Sequence, residues 1–155
     1  MNWKKLSSEY ISQHPYFTAR KDRCEMPDGK IVDAYYLVEL PPSACALAIT
    51  EEGKVLIAKQ YRHPLEETGY EFSDIEYLGK VAGNPGLLTG YTYLYLARGG
   101  KKKAAQSLDA NEEIEVLHIP LEEVRAMLMR NEFVQALHVS CMLYAFQKLD
   151  AENAK

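Results

Sequence analysis

Turn-forming residues cut this chain into short runs at close intervals, and that punctuation constrains the fold more than any other feature. Pro27-Asp28-Gly29, Pro41-Pro42, Glu51-Glu52-Gly53 and Gly83-Asn84-Pro85-Gly86 each end one run and begin another, with glycine and proline supplying the backbone geometry that a turn needs. Residues 16–26 mix aromatic and charged side chains, and 31–40, after the first turn, read as the partner strand of a hairpin. Residues 44–50 and 54–61 give a second hairpin with one strongly buried strand. Residues 75–82, 91–97 and 114–119 read as further strands. The polar stretch from Gly99-Gly100-Lys101-Lys102-Lys103 to Asp109 reads as a loop.

The helical signal is confined to the last third. Pro120 suits the first turn of a helix that carries Leu121, Val124, Met127 and Leu128 at helical spacing. From about Gln135 to Leu149 the pattern places Leu137, Cys141, Tyr144 and Ala145 on one side and Val139, Met142, Phe146 and Leu149 on another. A helix apolar on most of its surface favours packing against its own sheet and against a partner subunit, so a homodimer is expected.

At 155 residues and 47% hydrophobic composition, the chain has the material for one domain with a core. A net charge of -4 argues against sequence-independent nucleic-acid binding, which needs a basic face. Cys24, Cys45 and Cys141 are odd in number and far apart, without paired metal-ligand spacing. They read as reduced thiols of a cytoplasmic protein. The first residues lack the apolar core of a signal peptide, and no apolar run approaches membrane-spanning length.

Acidic pairs occur at Glu51-Glu52, Glu66-Glu67, Glu112-Glu113 and Glu122-Glu123, and taken alone they read as solvated surface charge. Lys101-Lys102-Lys103 reads as a solvated basic tip. His14, His63, His118 and His138 share no ligand spacing. One junction stands apart, where Lys59-Gln60-Tyr61-Arg62-His63-Pro64 runs directly into Leu65-Glu66-Glu67-Thr68-Gly69-Tyr70.

Both flanks of that junction resemble the Nudix hydrolases, in the branch that splits ADP-ribose and related nucleoside diphosphate sugars. The family's signature runs Gly, five residues, Glu, seven residues, then Arg-Glu-aliphatic-x-Glu-Glu-x-Gly-aliphatic. Leu65 to Tyr70 matches only its final positions, so most of the signature is absent, with an apparent excision at 64/65. The resemblance also takes in Trp3-Lys4-Lys5-Leu6, Pro27-Asp28-Gly29-Lys30 and the final helix. It implies an α/β (α+β) fold: a Nudix-like αβα sandwich around a mixed β-sheet, with an N-terminal antiparallel hairpin. Residues 1–155 would form one such domain, with 1–43 as the hairpin region and 44–155 as the core.

The resemblance also implies chemistry. Relatives use divalent metal, usually Mg²⁺, to neutralise the diphosphate and activate water. Glu66, Glu67 and Glu112 match metal-holding positions, with Glu67 and Glu112 also in catalytic roles. Glu112 keeps a second reading as surface charge. Arg62 matches an arginine near the phosphates, where a guanidinium makes paired hydrogen bonds, or else it pairs with a local carboxylate. Asn84 and Gly86 lie in a stretch that resembles the Pro-Gly loop shaping the sugar side of the pocket. Many relatives carry glutamate where Gly90 stands.

The intact signature sets two glutamates four residues apart on one helical face. Here His63 stands four before Glu67, and Pro64 disfavours helical geometry at His63. The expected activity is hydrolysis of a nucleoside diphosphate sugar, ADP-ribose favoured, impaired or lost. The alternative is a non-catalytic nucleotide-binding or dimeric interaction module.

Overall fold

The computed structural model describes residues 3–15, 17–59, 69–104 and 115–154. Within them lie nine strands and two helices: β1 Lys4–His14, β2 Phe17–Glu25, β3 Ile31–Glu39, β4 Ser43–Thr50, β5 Lys54–Lys59, β6 Tyr70–Glu71, β7 Asp74–Val81, β8 Thr92–Lys102, β9 Glu115–Pro120, α1 Leu121–Met129 and α2 Ala136–Asn153. The chain divides into two compact units, Met1–Ser43 with Lys80–Thr92, and Ala44–Gly79 with Tyr93–Lys155.

The smaller unit is built on the antiparallel sheet β1-β2-β3. The β2–β3 hairpin turns where the sequence places it: Gly29 takes φ +84, and its N–H donates to the Met26 carbonyl at 2.9 Å. β1 is an addition that the run pattern does not announce. Its side chains are exposed along nearly its whole length, and register shifts between Lys5 and Ser7 and between Tyr10 and Ser12 break the two-residue period. One charge is buried in this unit: Asp22, 3% exposed, accepts from Ser8 Oγ at 2.7 Å and Arg20 Nε at 3.0 Å. Burial opposes its ionisation, but these two donors and the charges of Arg20 and Lys5 hold its carboxyl below the usual range.

The larger unit is organised by a mixed sheet in the order β6-β8-β4-β5-β9, with β7 also paired to β8. Alternation along the strands gives each face its own cluster. Leu47, Val55 and Leu96 meet Val124 and Leu128 of α1 and Met142, Ala145 and Phe146 of α2. Their sequence neighbours Ala48, Leu56 and Ala97 form the second cluster, which among the described residues draws on strand side chains and on Phe72. Tyr77, with ring centroids 6.3 Å from Tyr93 and 5.6 Å from Tyr95, is 53% exposed.

β8 is longer than the apolar run predicts. Gly99, Gly100, Lys101 and Lys102 belong to the strand and not to a loop, and Lys103 follows it; Asp109 lies outside the described residues. The cause is close packing: a Cβ on Gly100 would lie 2.6 Å from the Phe72 ring, and one on Gly99, at φ +67, would lie 2.1 Å from Ser73 Oγ. Glycine lets the Phe72-Ser73 backbone approach the strand. The polarity of Lys101 and Lys102 reflects their exposed positions on the strand.

Both helices start near the expected residues. Pro120 stands at the N-cap position of α1 without a side-chain cap bond, and the Gln135 side chain caps α2 by accepting from the His138 N–H at 2.8 Å. Cys141, Met142, Ala145 and Phe146 are buried, whereas Leu143 and Tyr144 remain about half exposed. Arg98 of β8 ties the helix down: its guanidinium bonds Asp74 at 2.8 Å, Glu76 at 3.1 Å and both oxygens of Glu152 at 2.8 and 2.9 Å. Lys148 also reaches Glu76, at 2.5 Å. Arg125 adds a paired contact to Asp150 at 2.7 and 3.0 Å.

Three outcomes follow for stability. Leu96→Ala empties part of the sheet–helix core and is expected to cost about 3 kcal/mol, read from urea unfolding. Arg98→Ala leaves three carboxylates with Lys148 as their remaining basic neighbour and is expected to cost about 1–2 kcal/mol. Hydrogen bonds from Lys148 and then Arg98 lower the Glu76 carboxyl below its ordinary range. Its contribution is therefore complete above the unfolded value and is lost as pH falls through the folded one. The urea midpoint should drop on acidification below about pH 4, and less steeply in Glu76→Gln.

Candidate functional site

Arg62, Glu66, Glu67 and Glu112 lie outside the described residues. The structure does give the chain ends that lead to them. β5 ends at Lys59, which is paired across the ladder with Glu115, the first residue of β9. On the other side, the Gly69 carbonyl accepts from Lys103 N–H at 2.9 Å and Ala104 N–H at 3.3 Å. Tyr70 is registered with Lys102. Two backbone pairings, one between β5 and β9 and one at β6–β8, therefore hold the four ends in neighbouring couples.

Beside the Gly69 couple, in the larger unit, lies a shallow cavity of about 300 Å³ lined by Thr50, Glu51, Glu52, Tyr70, Gly100, Lys101 and Lys102. Its charges are partly self-compensated, because Lys101 Nζ pairs with Glu51 at 2.8 Å. Tyr70 hydroxyl and His118 Nε2 share a hydrogen bond of 2.6 Å, with their rings 5.7 Å apart. That contact joins residues 48 positions apart, and nothing in the spacing of the histidines signals it. It gives His118 a structural role beside Gly69 and Tyr70.

Asn84 and Gly86 lie in the smaller unit. The Asn84 side chain is committed to its own turn, its Oδ1 accepting from Gly86 N–H at 3.3 Å. Its carbonyl accepts from Leu87 and Leu88 N–H at 3.1 and 2.7 Å. The Gly86 carbonyl accepts from Tyr35 hydroxyl at 2.7 Å, and Tyr35 in turn lies 5.5 Å from the Trp3 ring. The loop is thus braced against β3, a support reinforced by Val38 N–H donating to the Leu87 carbonyl at 2.8 Å. Gly90 has a packing reason: a Cβ there would stand 3.0 Å from the Leu40 carbonyl and 3.2 Å from Leu40 Cβ. A glutamate at this position would have to push the Leu40-Pro41 backbone away.

Among the described residues no group of three or more His, Cys, Asp or Glu side chains forms a cation site. No described helix is long and apolar enough to cross a membrane.

Comparison with known proteins agrees with this architecture. Residues 3–38 match the nucleoside diphosphate sugar hydrolase N-terminal domain. The chain is similar to the methanol dehydrogenase activator of Bacillus methanolicus, 26% identical with 91% of each chain covered. It is also similar to the ADP-ribose pyrophosphatase of Bacillus subtilis strain 168, 24% identical with 97% of each covered. The GDP-mannose pyrophosphatase of Citrobacter koseri is 27% identical over 68% of this chain and 59% of that one. The Bacillus subtilis alignment spans 184 positions against 155 residues here, so that relative carries residues opposite gaps in this chain. A solved ADP compounds hydrolase superposes with a TM-score of 0.80 at 16% identity, covering 98% of this chain and 96% of that one. These likenesses relate the chain to the Nudix ADP-ribose pyrophosphatases.

Proposed function

We propose that this chain is a nucleoside diphosphate sugar hydrolase by descent that takes ADP-ribose, with its hydrolytic step impaired. The observation that carries the reading is the junction itself: His63 and Pro64 stand directly before Leu65-Glu66-Glu67, where an intact signature has a glutamate one helical turn before the last pair. The relatives' printed activities, on ADP-ribose and GDP-mannose, support the substrate class. In the ancestral reaction water attacks the diphosphate, and ADP-ribose gives AMP and ribose 5-phosphate.

Each retained residue has a part in this reading. Arg62 grips the diphosphate through paired N–H donors. The loop at Asn84 and Gly86, stiffened by its own turn and by Tyr35, shapes the sugar side. Glu66, Glu67 and Glu112 would hold Mg²⁺, which when bound neutralises phosphate charge and makes a water nucleophilic. With His63 in place of the earlier glutamate, that ligand set is short of a carboxylate. A non-catalytic nucleotide-binding or dimeric interaction module is the second reading, and the same deletion favours it. The half-exposed Leu143 and Tyr144 of α2 support the homodimer, and the free thiols of Cys24, Cys45 and Cys141 suit a cytoplasmic setting.

The deciding experiment incubates the full-length protein, its 17.6 kDa mass verified, with ADP-ribose and Mg²⁺, and quantifies AMP. The expected rate is on the order of 100-fold or more below that of the Bacillus subtilis enzyme, because a catalytic ligand is lost, with residual turnover abolished in Glu67→Gln. Calorimetry should detect ADP-ribose binding. Binding without turnover selects the second reading, and neither binding nor turnover overturns both. Light scattering should give twice the chain mass.

A further inference from the structure

Cys45 on β4 and Cys141 on α2 are 96 residues apart in sequence and meet inside the larger unit. Cys141 Sγ lies 3.3 Å from the Cys45 carbonyl and 3.6 Å from the Tyr95 carbonyl. Both cysteines are free. A sulfur hydrogen-bonded to the main chain of the other cysteine is placed for a bond to form by side-chain rotation, because a disulfide needs the two residues side by side. Cys141 is only 1% exposed, whereas Cys45 is partly exposed, so the pair is nearer to solvent on the Cys45 side. Neither residue takes part in the proposed hydrolysis. Two cysteines meeting across a strand–helix packing seam have no need of each other for packing, because a small apolar residue fills the same volume.

We infer that Cys45 and Cys141 form a reversible, peroxide-responsive disulfide that locks helix α2 to strand β4. A thiolate of the pair attacks a peroxide oxygen; the O–O bond breaks, hydroxide leaves and that cysteine becomes a sulfenic acid. The other sulfur then attacks it, the new S–S bond forms and the hydroxyl departs as water with the remaining thiol proton. Two thiols are oxidised and one peroxide is reduced to two waters. A dithiol reductant reverses the step by exchange. Cys24, buried in the smaller unit, takes no part.

The test uses the full chain treated with hydrogen peroxide, then denatured and alkylated with N-ethylmaleimide. Reduced protein should carry an adduct on each of its 3 cysteines. Oxidised protein should carry one, on Cys24, with a Cys45–Cys141 linked peptide at monomer mass and a higher melting temperature that dithiothreitol reverses. In Cys45→Ser or Cys141→Ser, dimedone should trap the sulfenic acid at the remaining cysteine of the pair. Full alkylation after peroxide, a bridge between two chains, or sulfinic acid at Cys45 in the unmutated protein without a linked peptide would each overturn the inference. All of these readouts are independent of ADP-ribose turnover, so failure of the hydrolase reading leaves them intact.

Discussion

The larger unit depends on the backbone ladder of β8. This one strand pairs with β4 and with both β6 and β7, so it satisfies main-chain donors and acceptors for three neighbours whose own edges would otherwise need water. Its alternation sends Leu94 and Leu96 into full burial and presents Tyr93 and Tyr95 to Tyr77. Its far end, beyond Gly99-Gly100, receives the short β6 strand at Tyr70 and Glu71. The segment at Tyr70 and Glu71 is thus held by strand pairing as well as by its sequence neighbours. Arg98, on the same strand, fixes α2 by charge while Leu96 fixes it by packing, so a single strand sets both faces and one helix.

The sequence made the turns, the paired strands and both helices readable because each rests on local chemistry. Gly29 and Asp28 form the turn that their types suggest, and the helical spacing of Val124 and Leu128 matches their burial. What stayed hidden was non-local. β1 has bulges that scramble its period, and the continuation of β8 through Gly99-Gly100 depends on Phe72 and Ser73 passing close by. Of the site residues read from the resemblance, Asn84 and Gly86 have a visible arrangement, and Asn84 Oδ1 is bound into its own turn. The contacts of Tyr70 with His118 and of Cys45 with Cys141 join distant segments, so no spacing rule reaches them.

The two faces of the sheet in the larger unit differ in composition. One face carries α1 and α2 over Leu47, Val55 and Leu96. The other carries the small residues Ala48 and Ala97 around Leu56, with Tyr77 and Ile75 largely open to solvent. Small residues and tyrosines tolerate water better than leucine or phenylalanine would, since a tyrosine hydroxyl keeps its hydration while the ring packs.

The division into two units has a spectroscopic consequence. The chain's only tryptophan, Trp3, stands against Tyr35 in the smaller unit, whereas the larger unit contains tyrosine alone as its strong ultraviolet fluorophore. Indole emission therefore reports on the β1-β2-β3 sheet, and the helices found among the described residues, α1 and α2, lie in the larger unit and contribute to far-ultraviolet dichroism there. Melting curves recorded by the two signals separate the order in which the units come apart, without any label being introduced.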